Sequence, residues 1–363
     1  IILFFLNVYM IYLYLHMLEI FLTSLLFLVF LLILSKKYRF LVEVPSDEIR
    51  KIHSYKIVKV GGLVFIPYIY IIHLIDNEIF KVIIVTSFIF LFIGFISDIN
   101  KYFHSSIRFV LMILIITIFI LTNNFIIINY NHEVINAIFL SSPLMSFVFA
   151  CLGLMFCVNG FNFIDGNNGL LLGVSGLIIV NFILHIDSHN QANEIQMILY
   201  SLLIVMLPLF ILNLFTGKVI AGDTGSYFLG FFLGATSIYL SNSNLLNAPL
   251  IACIIFYPII ELFVSFWRRL FIIKSNPFNP DNLHLHSLIY SLIKKNSLFK
   301  DKKRLNKANS LTSLIILVSL ILISFEIHFV AKYIGYLNNF FLLCITYLAI
   351  YTIIYKINSC LES

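Results

Sequence analysis

Charge is what this chain has least of. Only 11% of its 363 residues are acidic or basic, against about 25% in soluble domains, which excludes an ordinary water-soluble globular protein. Cysteine is sparse as well. Cys151, Cys157, Cys253, Cys344 and Cys360 lie mostly within or beside apolar segments, without the paired spacing of a metal site, so they read as packing residues. No internal repeat is visible, as a transporter built from repeated halves would show, and no low-complexity tract. The first residues lack a basic stretch and a small-residue cleavage site, so a cleaved signal peptide is not expected.

What fills the chain instead is apolar. Hydrophobic residues make up 61% and the mean hydropathy is +1.03, and runs near the ~20 residues that cross a bilayer recur from end to end. Eleven such segments are expected as spans: 17–35, 60–75, 80–96, 109–128, 137–158, 170–186, 195–215, 227–240, 249–266, 311–330 and 340–355, with 1–16 an extension or a further short span. The fold class is therefore an all-α polytopic integral membrane protein of about ten or eleven helices, and residues 1–363 form one domain.

The net charge of +6 suggests nucleic acid in a soluble protein, but here the basic residues flank spans. Alternating the loops across the membrane leaves only Lys81 and Lys332, of 23 lysines and arginines, on one side. That asymmetry assigns the other loops to the cytoplasm. It includes the basic stretch Lys300–Lys307, read as an anchor toward anionic lipid. No nucleic-acid partner is expected.

Five polar clusters stand out, and the alternation puts all of them on the cytoplasmic side: Asp47–Gly62, Gly94–Asn100, Asn159–Leu170, Gly222–Ser226 and Pro277–His286. Together they suit a diphosphate bound with magnesium, or with manganese as an alternative. Mg²⁺ takes one or two carboxylates plus waters and phosphate oxygens, and Asp98, Asp165 and Asp223 each stand at the end of an expected span. Glycines at 166, 169, 222 and 225 let backbone N–H groups approach phosphate, and the helices after Asn168 and Ser226 aim positive dipole ends at the same anion. Arg50, Lys51, His53, Arg268, His284 and His286 offer charge to a transferring phosphoryl group. Each has a plainer alternative: an Asp beside a helix-starting Gly is commonly an N-cap, and histidines two apart make a weak zinc signal. Glu261 and Glu326 lie within spans, the first able to support the site and the second to pack or snorkel.

In order along the chain, NFIDG with GL (Asn162–Gly166, Gly169, Leu170), GDTGS, PFNPD with HLH (Pro277–Asp281, His284–His286) and RKIH with GG (Arg50–His53, Gly61, Gly62) resemble the polyprenyl-phosphate N-acetylhexosamine-1-phosphate transferases. The matching core runs over about residues 45–290. The resemblance implies transfer of a sugar-1-phosphate from a UDP-sugar to undecaprenyl or another polyprenyl phosphate at a bacterial plasma membrane, the first step of an envelope polysaccharide, with a homodimer left open. It makes Asp223 a metal ligand, Asp98 a metal ligand or base, and Asp165 a nucleotide or metal contact, with substrate contacts from Arg50, Lys51, His53, Asn159, Asn162, Asn168, Arg268, His284 and His286. Three positions depart from the family pattern. Ser97 precedes Asp98 where two adjacent acids are usual, Asn168 replaces an Asp, and Glu261 stands where an Asp is expected. A lipid-binding member without activity and a secondary transporter are the alternative classes.

Overall fold

The computed structural model describes residues 2–43, 56–100, 102–126, 130, 133–186, 190–272, 274, 283–295 and 302–360. Arg50, Lys51, His53 and the PFNPD segment lie outside the described residues.

The chain is almost wholly helical. In order come α1 (Ile2–Tyr38), a 3₁₀ helix (Gly61–Leu74), α2 (Glu78–Ile99), α3 (Ser105–Asn123), α4 (Glu133–Leu140), α5 (Pro143–Ile164), α6 (Leu170–His185), α7 (Asn190–Thr216), α8 (Gly222–Asn242), α9 (Ala248–Ile254), α10 (Phe256–Trp267), α11 (Leu285–Lys295), α12 (Lys302–Phe329), α13 (Ala331–Ile334) and α14 (Tyr336–Cys360). Two short strands, β1 (Val42–Glu43) and β2 (Ile57–Val58), pair antiparallel.

Each of the eleven expected spans overlaps helix, with 137–158 crossing the break between α4 and α5 and 249–266 that between α9 and α10, yet fewer qualify by length and apolarity alone. Among the described residues seven helices are long and apolar enough to cross a membrane, or eight when α9 and α10, bent by 74°, count as one. The bend has a covalent cause: Pro258 lacks the N–H that would reach back to Ile254, so the helix breaks at Ile255. Three elements fall short for different reasons. The 3₁₀ helix has 14 residues, but at about 2.0 Å per residue it reaches about 28 Å, close to the ~30 Å hydrocarbon thickness. Helix α6 has 16 residues and is simply short.

Helix α8 is long enough at 21 residues but carries Gly, Ser and Thr throughout. It tolerates them because it does not face lipid: from Gly222 to Ser241 every residue except Asp223 is buried. It is the axis around which α2, α5 and the 3₁₀ helix pack. Small residues allow that approach, as in other membrane bundles, and aromatic rings fill the rest. Phe231 stacks on Phe90 with centroids 4.5 Å apart, and Phe228 on Phe65 at 4.7 Å.

The start of α8 is pinned from a second direction. Val58 donates to the Lys218 carbonyl and accepts from Ile220, and the Gly61 and Gly62 N–H groups donate to Ile220 and Ala221. A side chain at 62 would fall 2.3 Å from the Gly225 nitrogen, so the paired glycines are what let this segment lie against the GDTGS turn.

A candidate phosphotransfer site at one end of the bundle

The end of α2, the start of α3, the end of α5 and the start of α8 meet at one end of the bundle, and each brings a polar side chain. Asp223, in the first turn of α8, is the hub. Its Oδ2 accepts from the Ser97 hydroxyl at 2.5 Å and from Arg108 Nη1 at 2.6 Å, and its Oδ1 accepts from the Asn162 amide at 2.8 Å. Arg108 Nη1 also donates to Ser97 Oγ at 2.7 Å and to the Tyr227 hydroxyl at 3.0 Å. Asn162 reaches Ser226 Oγ at 3.0 Å. About a quarter of the Asp223 side chain remains open, at 26%, so the hub is accessible from outside.

Asp98 is turned differently. Its Oδ2 accepts from both the N–H and the hydroxyl of Thr224, at 2.9 and 2.8 Å, while Lys59 Nζ stands 3.7 Å from Oδ1. Only 1% of its side chain is exposed. A helix N-terminus favours an anion in this place, so the geometry gives Asp98 the work of bracing α8. Gly222, between them, takes a left-handed φ of +68°, and a side chain there would lie 2.6 Å from Asp98 Oδ2.

Asp165 follows α5 directly. Burial pushes its carboxyl well above the usual carboxylate range, the charges of Asp98 and Asp223 push it further, and the Gly222 N–H and Lys59 pull it back. A nearby cation would reverse the dominant effects. The three aspartates are thus electrostatic neighbours, but they do not form a ready-made cage. Among the described residues no three His, Cys, Asp or Glu side chains make a metal-ligand group. The three carboxylates expected to converge are therefore loosely set, with Asp98 Oδ2 taken up by Thr224 and its Oδ1 facing Lys59. Mg²⁺ asks for only one or two carboxylates when phosphate oxygens supply the rest, and the partly open Asp223 can supply one of them.

The histidines arrive from the other side. His284 and His286, at the start of α11, stack in parallel with centroids 5.3 Å apart, and Phe163 meets His284 edge-on at 5.1 Å. A side chain built on Gly166 would lie 2.9 Å from His286 Nε2, so His286 touches the loop that carries Asp165.

Three expected substrate contacts are engaged elsewhere. Asn168 binds Asn306 and Ser310 of α12 through its amide, and its own N–H donates to the Asn309 side chain, so it ties the α5–α6 loop down. Arg268 donates to the Leu283 carbonyl at 2.8 Å and to the Tyr351 hydroxyl, tethering the turn before α11. The Asn159 amide bonds the Met155 carbonyl of its own helix at 2.9 Å. Conversely, Lys59, Thr224 and Ser226 join the site from within the polar clusters chosen from the sequence, where they had been given no role of their own, and Arg108 and Tyr227 join it from outside those clusters. For Arg108 there was a signal: a cation at the start of the helix after Asp98, on the same membrane side.

Residues 80–241, which hold this cluster apart from Lys59 and the histidines, match the family model described as Glycosyl transferase family 4. The undecaprenyl-phosphate alpha-N-acetylglucosaminyl 1-phosphate transferase of Thermotoga maritima is 36% identical over 138 residues, 38% of this chain and 41% of that protein. The enzyme of the same name from Yersinia pestis is 32% identical over 144 residues, 36% of this chain and 37% of that one. The phospho-N-acetylmuramoyl-pentapeptide-transferase of Prochlorococcus marinus is 33% identical over 202 residues, 49% of this chain and 52% of that protein. The chain spans about half, or less, of the length of these curated relatives.

Proposed function

We propose that this chain, whose residues 80–241 match the glycosyl transferase family 4 model, transfers a sugar-1-phosphate from a UDP-sugar to a polyprenyl phosphate and releases UMP. The observation that carries the reading is the hub itself: a partly open Asp223 held by Ser97, Arg108 and Asn162, with Asp165 beside it and two cations within the cluster. The relatives' names supply the substrate class, and an N-acetylhexosamine is the donor sugar they suggest.

In the proposed reaction an oxygen of the lipid phosphate attacks the sugar-linked phosphorus, the new P–O bond forms, and the bond to UMP breaks with its electron pair leaving on UMP. Both reactants are anions, so the protein's contribution is positioning and fixed positive charge rather than covalent chemistry. Bound Mg²⁺, held by Asp223 with Asp165, would supply charge neutralisation between the phosphates. Arg108 and Lys59 add cationic charge at the same end of the bundle, and Ser97 and Asn162 keep the Asp223 carboxylate in one orientation. Asp98 holds the first turn of α8, so its N–H groups keep their direction.

The lysine and arginine asymmetry supports a cytoplasmic location for this end, and the bacterial relatives suggest a bacterial plasma membrane. The test is a panel of UDP-sugars with undecaprenyl phosphate and Mg²⁺, using purified protein in detergent and scoring labelled lipid and UMP. Product with at least one donor is expected. Folded protein that releases UMP from none of them overturns the reading.

A further inference from the structure

Glu261 is the acid the proposed reaction does not use. It lies within α10, 1% exposed, where an ionisable group is costly and is retained for a reason. Its Oε2 stands 3.5 Å from His284 Nδ1 and 3.4 Å from the Leu285 N–H. On the far side, His284 is gripped by Phe163, over which the Arg269 guanidinium lies at 5.4 Å, and by the coplanar ring of His286. The HLH turn is thus clamped between one buried carboxylate and the loop that carries Asp165.

We propose that Glu261 is a positioning residue, whose carboxylate fixes the Nδ1 edge of His284 and the backbone of Leu285 so that the His284 imidazole presents its other edge to the nucleotide diphosphate. A carboxylate 3.5 Å from Nδ1 favours the proton on that nitrogen and orients the ring by charge. The stacking then carries the orientation to His286, whose Nε2 lies against Gly166. The inference deepens the proposed function and rests on it for the identity of the ligand.

The experiment is a double-mutant cycle on the full chain in detergent, with UDP-N-acetylglucosamine binding read by calorimetry and transfer read by UMP release. Glu261→Gln weakens donor binding by about tenfold, the effect of losing a charge-assisted contact, and Glu261→Asp restores most of it. The polyprenyl phosphate KM stays unchanged. Because Glu261 acts through His284, the Glu261→Gln/His284→Gln pair binds no worse than His284→Gln alone. Additive losses, or Glu261→Gln with unaltered donor binding, overturn the inference while leaving a transferring enzyme in place. Intact binding and a non-additive cycle in a protein that transfers no sugar-phosphate would instead sink the proposed reaction. Wild-type protein that binds no UDP-sugar defeats both.

Discussion

The Ser97 hydroxyl donates to Asp223 Oδ2 at 2.5 Å, and Arg108 Nη1 bonds both partners, at 2.7 and 2.6 Å. Ser97 occupies the position where the resembling family carries a first acid, and in sequence it reads as a missing carboxylate. In the fold it is a ligand of the carboxylate on α8. Ser97→Ala leaves Asp223 Oδ2 to Arg108 and a long contact from the Tyr227 hydroxyl, and removes two partly buried hydrogen bonds, one given to Asp223 and one accepted from Arg108. We expect UMP release to fall about tenfold, within what two such bonds contribute. Undiminished turnover would show that Ser97 is a spectator.

Asp223 is the side chain on which the site converges. Asp223→Asn keeps the shape and a bond toward Arg108's side of the cluster but removes the negative charge. Loss of one preorganised electrostatic group costs about 100-fold or more in turnover, and we expect product to drop at least that far with the melting temperature in detergent little changed. Turnover within a few-fold of wild type removes Asp223 from the mechanism.

Arg108 gives a sharper discrimination, because one nitrogen serves three acceptors: Asp223, Ser97 and Tyr227. A lysine carries the charge but not the planar fork that holds such a geometry. Arg108→Lys is therefore expected to retain folding and lose about tenfold in UMP release, and Arg108→Gln to lose about 100-fold, as when a charged transition-state contact is removed. Equal rates for the two variants would mean that the charge of Arg108 is irrelevant.

The helices of this architecture were legible because apolar runs and basic flanks are properties of single segments. Every expected span from 17–35 to 340–355 overlaps helix. The motifs NFIDG and GDTGS were legible for the same reason, being contiguous. What stayed hidden depends on partners brought from other helices. Asn168 looks like a site residue until α12 is seen to hold it, and Arg268 until Leu283 and Tyr351 do. What the spans at 60–75 and 227–240 did not reveal was their form: the first is wound as a 3₁₀ helix, and the second is buried on all sides rather than facing lipid. Lys59 was read only as a topological charge, since nothing along the chain indicates that it stands 3.7 Å from Asp98.

The last prediction concerns the contact between α2 and α8 on which the hub depends. Gly94 lies one turn before Ser97, and a side chain there would meet the Asp223 carbonyl oxygen at 2.2 Å and the Thr224 nitrogen at 2.6 Å. Both obstacles are backbone, in a helix braced by Asp98 and the Val58–Gly62 segment, so neither can step aside cheaply. Gly94→Ala must separate the two helices, at about 1–3 kcal/mol for overpacking of this kind. The separation also pulls Ser97 away from Asp223. Thermal unfolding in detergent should therefore shift downward, and UMP release should fall further than the remaining folded fraction accounts for. Gly153, where an added methyl group would meet nothing within 4 Å, is the internal control: Gly153→Ala should leave both measurements unchanged. A Gly94→Ala protein as stable and as active as wild type would show that α2 and α8 tolerate a wider spacing than the hub's bonds allow.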